Sequence, residues 1–254
     1  MQRRDFLTSL PAALIGAQTL PFFLSRAMAA LPERFRVEDL IERARTLAAS
    51  DYVPPDDSLP PALDALDYDS YRAIRYRPEY ALWRDLPSQF RIQFFHRGHF
   101  FRQPVKVFDL PQGVPEEIAY SPELFDFGPE VDVGPLPDDL GFAGLRVHHP
   151  LNTGDYFDEL LSFLGASYFR AIGAGMHYGL SARGIAVNTA EASGEEFPSF
   201  TTFYLETPAP GEAEMRLHAL LDGPSLTGAY TFTVRPGERT LIDVETRLFT
   251  RKEI

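Results

Sequence analysis

The feature that most constrains the fold is an alternation of apolar and polar residues near the end of the chain. It runs through Arg216–Asp222, Ala229–Val234 and Thr240–Phe249. A period of two places successive side chains on opposite faces of a β-strand. The segment Arg235-Pro-Gly-Glu-Arg239 separates the last two runs and carries the proline and glycine of a tight turn. The pattern therefore predicts antiparallel strands joined by a hairpin.

Further segments with strand-like patterns extend this prediction toward the N-terminus. They cover residues 90–95, 105–107, 185–187 and 200–206. Many strands separated by turn-rich loops are typical of a sandwich, in which two sheets bury their apolar faces against each other. We therefore expect an all-β fold, a large antiparallel β-sandwich with few short helices.

Two segments have apolar residues at helical spacing instead. The first is Phe35–Ala49. The second is 157–164, where apolar residues stand at i, i+3, i+4 and i+7, with Asp155 placed to cap the start and Gly165 to end the helix. The sequence thus predicts an N-terminal helix and one internal helix.

Composition excludes several kinds of function. The formal net charge is −12, and an acidic surface repels phosphate backbones, so nucleic acid is not an expected partner. Cysteine is absent, which excludes disulfides, thiol catalysis and cysteine-based zinc sites. Any chemistry of this chain must therefore rest on carboxylates, hydroxyls, histidines and aromatic rings.

The N-terminus has the features of an export signal. Arg3 and Arg4 form a twin-arginine pair, a modestly apolar region follows, and Ala27-Met28-Ala29 is a small-residue cleavage site. The alternatives are an ordinary secretory signal and a membrane anchor, which the segment is short for. We predict a twin-arginine signal over residues 1–29, recognition by the twin-arginine export machinery, periplasmic localisation, and no stable membrane insertion after cleavage.

A glycine-rich run, Leu164–Gly184, is the strongest candidate for a ligand site. It contains Tyr168, Arg170, Tyr178 and Arg183 among five glycines. Aromatic faces and guanidinium donors suit a sugar, which presents C–H faces and hydroxyl edges. The alternative is a turn-rich connection whose aromatic rings fill a β core. Two further candidates, Tyr156 and Glu196, come from neighbouring segments.

Other titratable residues have structural explanations. The carboxylates of Asp158 and Glu159 lie at the start of the predicted internal helix, where capping accounts for them. His96 and His99 lie on or after a strand, without the i, i+4 spacing of helical ligands, and His148 is directly adjacent to His149. We predict no metal site and no cofactor.

Several segments together resemble the OpgG/OpgD (MdoG/MdoD) family of periplasmic glucan biosynthesis proteins. The resemblance is carried, in order, by Phe90–Gly98, Tyr120–Gly128, Phe163–Ala171, Tyr178–Gly184 and Leu221–Tyr230. It implies a galactose-mutarotase-like β-sandwich followed by an immunoglobulin-like domain, and a role in making glucans with β-1,2-linked backbones. The export signal is more similar to the D type than to the G type.

The resemblance also has consequences for activity. Some members resemble inverting β-1,2-glucanases, but the acidic residues implied for catalysis lie past the point that matches Ile254, so no catalytic residue is named. We interpret residues 30–254 as the N-terminal part of the sandwich domain, with Tyr168, Arg170, Tyr178 and Arg183 lining a glucan groove. The expected function is binding of β-glucan and, in a full-length form, its cleavage or remodelling. The alternatives are a non-catalytic glucan-binding module and an inactive truncated fragment.

Overall fold

The structure is a computed structural model that describes residues 33–129, 131–177 and 179–254. The predicted export signal with Arg3 and Arg4 lies outside the described residues and stays a prediction. The same is true of Tyr178. No helix within the described ranges is long and apolar enough to cross a membrane.

Three short helices and thirteen strands make up this part of the chain. The helices are α1 (Val37–Ala48), α2 (Pro61–Asp64) and α3 (Tyr68–Ala73). The strands are β1 (Arg75–Tyr76), β2 (Arg91–His96), β3 (Lys106–Leu110), β4 (Glu116–Glu117), β5 (Phe125–Asp126), β6 (Phe142–Thr153), β7 (Tyr156–Leu164), β8 (Tyr168–Ala171), β9 (Leu180–Arg183), β10 (Ser199–Glu206), β11 (Met215–Asp222), β12 (Leu226–Arg235) and β13 (Leu241–Thr250).

Two large sheets form the sandwich. One has six strands in the order β13-β12-β11-β10-β3-β4, and the other has five in the order β2-β6-β7-β8-β9. All neighbours are antiparallel except β3 and β10, which run parallel. The short strands β1 and β5 pair separately. The all-β sandwich with few short helices is confirmed, and so is the hairpin formed by β12 and β13.

Aromatic rings fill the space between the two sheets. Phe163 on β7 has its ring centroid 5.3 Å from that of Phe203 and 5.1 Å from that of Phe232, both on the six-stranded sheet. All three side chains are buried. Burying each such ring contributes roughly 1.5–3 kcal/mol, which is the main force that holds the layers together.

Helix α1 packs on the outer face of the six-stranded sheet, as the helical spacing predicts. Leu40 and Ala44 are buried against Leu220 and Ala229. The hydroxyl of Thr227 on β12 also donates to the Ala44 carbonyl oxygen at 2.7 Å. One face of the sheet is therefore covered by the core and the other, in part, by α1.

The predicted internal helix is wrong, because residues 156–164 form strand β7. A β-bulge explains the helix-like spacing. The pairing of β6 with β7 shifts register between Val147 and His148, so Leu160 is an extra residue with no partner on β6. Glu159 and Ser162 then face the same cavity three residues apart, while Leu160 and Leu161 are both buried. Asp155 directly precedes the strand and Gly165 directly follows it, so neither residue caps a helix.

Candidate functional site

A row of polar side chains crosses the outer face of the five-stranded sheet. Strand register places five residues side by side, one from each strand: Gln93, Arg146, Ser162, Arg170 and Ser181. Their neighbours in sequence, such as Phe163 and Phe169, point into the core. We call this set the polar row.

Glu159 joins two arginines of the polar row. Its two carboxylate oxygens each accept a hydrogen bond at 3.3 Å, one from Arg146 Nη1 and one from Arg170 Nη2. Arg146 Nη2 also donates to the side-chain oxygen of Gln93 at 2.9 Å. The side chains of Arg146, Glu159 and Arg170 are 23%, 31% and 43% exposed. The network is thus fixed in position but open to a ligand.

Three adjoining cavities form a groove along this face. The central cavity, about 710 Å³, is lined by Tyr168 and Arg170 and is walled by α3. A second, about 500 Å³, shares Glu159 and Arg170 with the first. A third, about 640 Å³, shares Arg146 with the first, and Tyr156 lines both the second and the third. We refer to these three cavities as the groove.

The third cavity is lined by side chains with buried polar atoms that lack hydrogen-bond partners in the described part of the chain. Arg91 Nε, Arg146 Nε and His148 Nε2 are buried atoms without a hydrogen-bond partner among the described residues, and all three side chains line this cavity. Burial lowers the pKa of His148, whose Nδ1 lies 3.1 Å from the Phe157 carbonyl oxygen. Unpaired buried polar atoms are uncommon and costly, so their concentration here sets this end apart from the apolar core.

The glycine-rich segment forms a wall of the second cavity. Gly175 N donates to the side-chain oxygen of Asn152 at 2.6 Å, and Asn152 Nδ2 donates to Asp158 at 2.9 Å. Burial opposes ionisation of Asp158, but hydrogen bonds from Asn152 and from the Leu151 N–H hold its pKa below the ordinary value. A side chain at Gly179 would place its Cβ 1.9 Å from the Ala171 carbonyl oxygen. Glycine at position 179 is therefore required by the close pairing of β8 with β9.

The structure places three of the predicted site residues on the groove, whereas two others, Arg183 and Glu196, do not line it. Tyr168 and Arg170 line the central cavity, and the ring of Tyr156 is 66% exposed beside it. Arg183 lies opposite Tyr168 on β9, but its guanidinium packs over the Phe197 ring at 4.2 Å. The carboxylate of Glu196 accepts hydrogen bonds from the backbone and hydroxyl of Ser225, near the turn between β11 and β12.

Sequence reasoning missed three members of the site: Gln93, Arg146 and Glu159. Gln93 and Arg146 occupy polar positions within strands of alternating pattern, a signal that assigns them to the outer face but does not pair them. Glu159 was assigned to a helix start that does not exist. Only the registers of β6 with β7 and of β7 with β8 place it beside both arginines.

His96 has a structural role. His96 is buried, with Nδ1 2.6 Å from the Arg97 carbonyl oxygen and Nε2 2.7 Å from the Tyr120 hydroxyl. Burial lowers the pKa of His96 to about 4. Across the described ranges, no group of three or more metal-ligating side chains comes together.

Comparison with known proteins identifies the family. A family model described as "Periplasmic glucan biosynthesis protein, MdoG" matches residues 35–254. The chain belongs to this family. The MdoG match includes every element of the groove, from α3 to β9.

Individual MdoG relatives agree. The chain is 48% identical over 256 residues to a glucans biosynthesis protein G of Rhodopseudomonas palustris, covering 100% of this chain and 50% of the relative. Proteins of the same name from Ralstonia nicotianae and Shewanella baltica are 47% and 48% identical, over 91% and 87% of this chain and 45% and 41% of theirs. All three are named as G-type proteins, whereas the predicted export signal favours the D type. The chain spans about half the length of these curated relatives.

Proposed function

We propose that this chain binds linear β-1,2-linked glucan in the groove, as part of a protein of periplasmic glucan biosynthesis. The observation that carries the proposal is the Arg146–Glu159–Arg170 network, set beside Tyr168 in the central cavity. Guanidinium and carboxylate groups bind pairs of hydroxyls, and tyrosine offers an apolar face to the ring. Family membership supplies the ligand class, and the β-1,2 linkage follows from the sequence resemblance.

Preorganisation supports the same proposal. Arg146 and Arg170 are held by one carboxylate, so a bound sugar does not have to immobilise two flexible side chains. The groove remains shallow and polar, and binding through hydrogen bonds and stacking in such a site gives dissociation constants of about 1 mM to 1 μM. A long, weakly bound polymer fits this geometry better than a small, fully enclosed ligand.

We infer that this chain binds glucan without cleaving it. Glycosidic cleavage by inversion needs one protonated carboxyl group and one carboxylate that activates water. The two acids beside Arg170 are both engaged, Glu159 by the two arginines and Asp158 by Asn152 and backbone N–H groups. Carboxylates bonded in this way are suited to hold neighbouring side chains in position. The other acids of the groove, Glu79, Asp126 and Asp155, line the third cavity, which Arg170 does not line. The sequence resemblance likewise implies catalytic acids beyond residue 254, so cleavage is proposed only for a longer form.

The proposed location of the protein rests on its family and on its predicted export signal. The family description names periplasmic proteins, and the sequence predicts a twin-arginine signal over residues 1–29. We propose that the chain is exported by the twin-arginine machinery and acts in the periplasm. We also propose that residues 30–254 form the N-terminal part of a larger sandwich domain.

The test is calorimetric titration of linear β-1,2-glucan oligosaccharides into the chain from residue 30 onward. Arg170→Met removes the guanidinium from the groove, and we expect about a tenfold loss of affinity, the effect of losing one charged hydrogen bond. Arg216→Met is the matched control, because Arg216 is similarly exposed (45% against 43%) and also pairs with glutamates, but lies on the six-stranded sheet.

Two results would contradict the proposal. One is no saturable binding by the unchanged chain, and the other is an equal loss in both variants. The appearance of new reducing ends during the titration would contradict the inference that binding occurs without cleavage.

A further inference from the structure

We propose that the glucan-binding surface continues beyond the groove into a fourth cavity, which holds a sugar unit of the same glucan chain. This proposal rests on the proposed function. The cavity, about 270 Å³, is lined by two phenylalanines, Phe100 and Phe197, and by the small residues Gly165 and Ala166. We call it the distal cavity. Its residues take no part in the network of Arg146, Glu159 and Arg170.

Phe100 projects from the tip of a tight turn. The turn is closed by backbone hydrogen bonds between Gly98 and Phe101, at 3.0 and 2.9 Å. The Phe100 side chain is 81% exposed and contacts the ring of His99, with centroids 3.8 Å apart. A single exposed apolar residue needs no functional explanation. Here, however, a second aromatic ring lines the same cavity.

That second ring is Phe197, which is held in place rather than free. The guanidinium of Arg183 packs over its face at 4.2 Å, and the ring remains 37% exposed. Such a cation–π contact fixes the ring's orientation. Gly165 and Ala166, which line the same cavity, add little side-chain volume to it. Two aromatic rings that line one cavity offer apolar surface to the C–H faces of a pyranose ring.

Polar side chains border the same cavity. Ser199 donates to the side-chain oxygen of Gln103 at 2.9 Å, which leaves the Gln103 amide nitrogen available as a donor. Arg102, also lining the cavity, pairs with Asp57 and Asp64. Aromatic faces with hydrogen-bonding groups at their edge match a sugar, which has apolar faces and hydroxyl edges. A purely apolar ligand would leave these groups without partners.

Two connections join the distal cavity to the groove. The ring of Phe101 lines both the central cavity and the distal cavity. On the other side, Tyr168 of the central cavity lies opposite Arg183, which in turn packs on Phe197. The central and distal cavities therefore adjoin each other, through Phe101 and through the contacts of Arg183. This continuity selects the same glucan chain as the occupant, in preference to a separate ligand.

The experiment measures affinity against oligosaccharide length. Linear β-1,2-glucan oligosaccharides of increasing length are titrated into the unchanged chain and into Phe100→Ala. Because Phe100 is 81% exposed, its removal does not disturb the core. We expect Phe100→Ala to weaken binding of long oligosaccharides roughly three- to tenfold, the effect of one aromatic contact, and to leave short ones unchanged.

Two further variants complete the design. Leu241→Ala removes an exposed apolar side chain (57%) from β13 and should bind every length normally. Phe100→Trp keeps an aromatic face and should retain the preference for long oligosaccharides. An equal loss at all lengths, or no loss at any length, would overturn the distal site. Failure of the unchanged chain to bind any oligosaccharide would instead overturn the proposed function.

Discussion

At the scale of single residues, the site depends on partners that are distant in sequence. Arg170 could be identified from its setting among glycines and aromatic residues. Glu159, which fixes its position, could not, because the residues around it have the spacing of a helix. The hydrogen bonds from Arg146 and Arg170 to Glu159 exist only because β6, β7 and β8 are neighbours.

His96 leads to a prediction about pH at the same scale. Its native pKa is lowered to about 4 by burial, against about 6.5 in the unfolded chain. As the pH falls from 6.5 to 4, the unfolded state therefore takes up a proton that the native state does not. His96 should cost the native state about 3 kcal/mol over this range, with no effect above pH 7.

The measurement is urea unfolding of the unchanged chain and of His96→Gln at pH 7.5, 5.5 and 4.5. Because Gln does not titrate, the stability advantage of the unchanged chain should shrink as the pH falls. Burial also lowers the pKa values of His148 and His149, but both residues are present in each protein. A constant difference across the three pH values would show that His96 titrates normally.

At the scale of elements, the hairpin of β8 and β9 depends on one glycine. A Cβ at Gly179 would clash with the Ala171 carbonyl oxygen, so Gly179→Ala must move backbone. We expect a loss of about 1–3 kcal/mol in unfolding free energy, typical of overpacking, together with weaker glucan binding, because Arg170 lies on β8.

Gly154→Ala is the control for this hairpin. Gly154 lies in the neighbouring turn between β6 and β7 and has open space where a Cβ would stand. This substitution should leave stability within about 0.5 kcal/mol of the unchanged chain. Chemical denaturation followed by the fluorescence of Trp83 would measure the stability of each variant. Titration with glucan oligosaccharides would measure its binding. Similar results for the two variants would contradict the role assigned to Gly179.

At the scale of the whole molecule, the sandwich has apolar residues exposed at two strand edges. Leu180 on β9 pairs with Ala171, whose side chain faces the core, yet Leu180 is 84% exposed. On β13, Val244 pairs with the core residue Phe232 and is 41% exposed. Relatives of about twice the length offer an explanation. We propose that further strands cover these edges in a longer form.

Despite these edges, we expect the chain from residue 30 onward to unfold cooperatively. Phe163, Phe203 and Phe232 form a buried aromatic contact between the sheets, and rings held in fixed environments give a near-ultraviolet circular dichroism signal. That signal should be lost in one sharp transition on heating, because the layers separate together. A gradual loss of that signal would favour the alternative that this chain is an inactive fragment. Glucan binding would then have to be measured on a longer form of the protein.

The sequence by itself determined the fold class, the N-terminal helix and the final hairpin. The periodicity of apolar residues and the turn residues depend only on neighbours in sequence, so they can be interpreted without the tertiary structure. It also selected Tyr168 and Arg170 as candidates, because glycines and aromatic residues cluster within one short segment, and both residues line the central cavity. Tertiary structure decided the rest. Residues 156–164 form strand β7 despite their helix-like spacing, because one β-bulge accommodates the extra apolar residue. Sheet register, which no local pattern encodes, places Gln93, Arg146 and Glu159 at the groove.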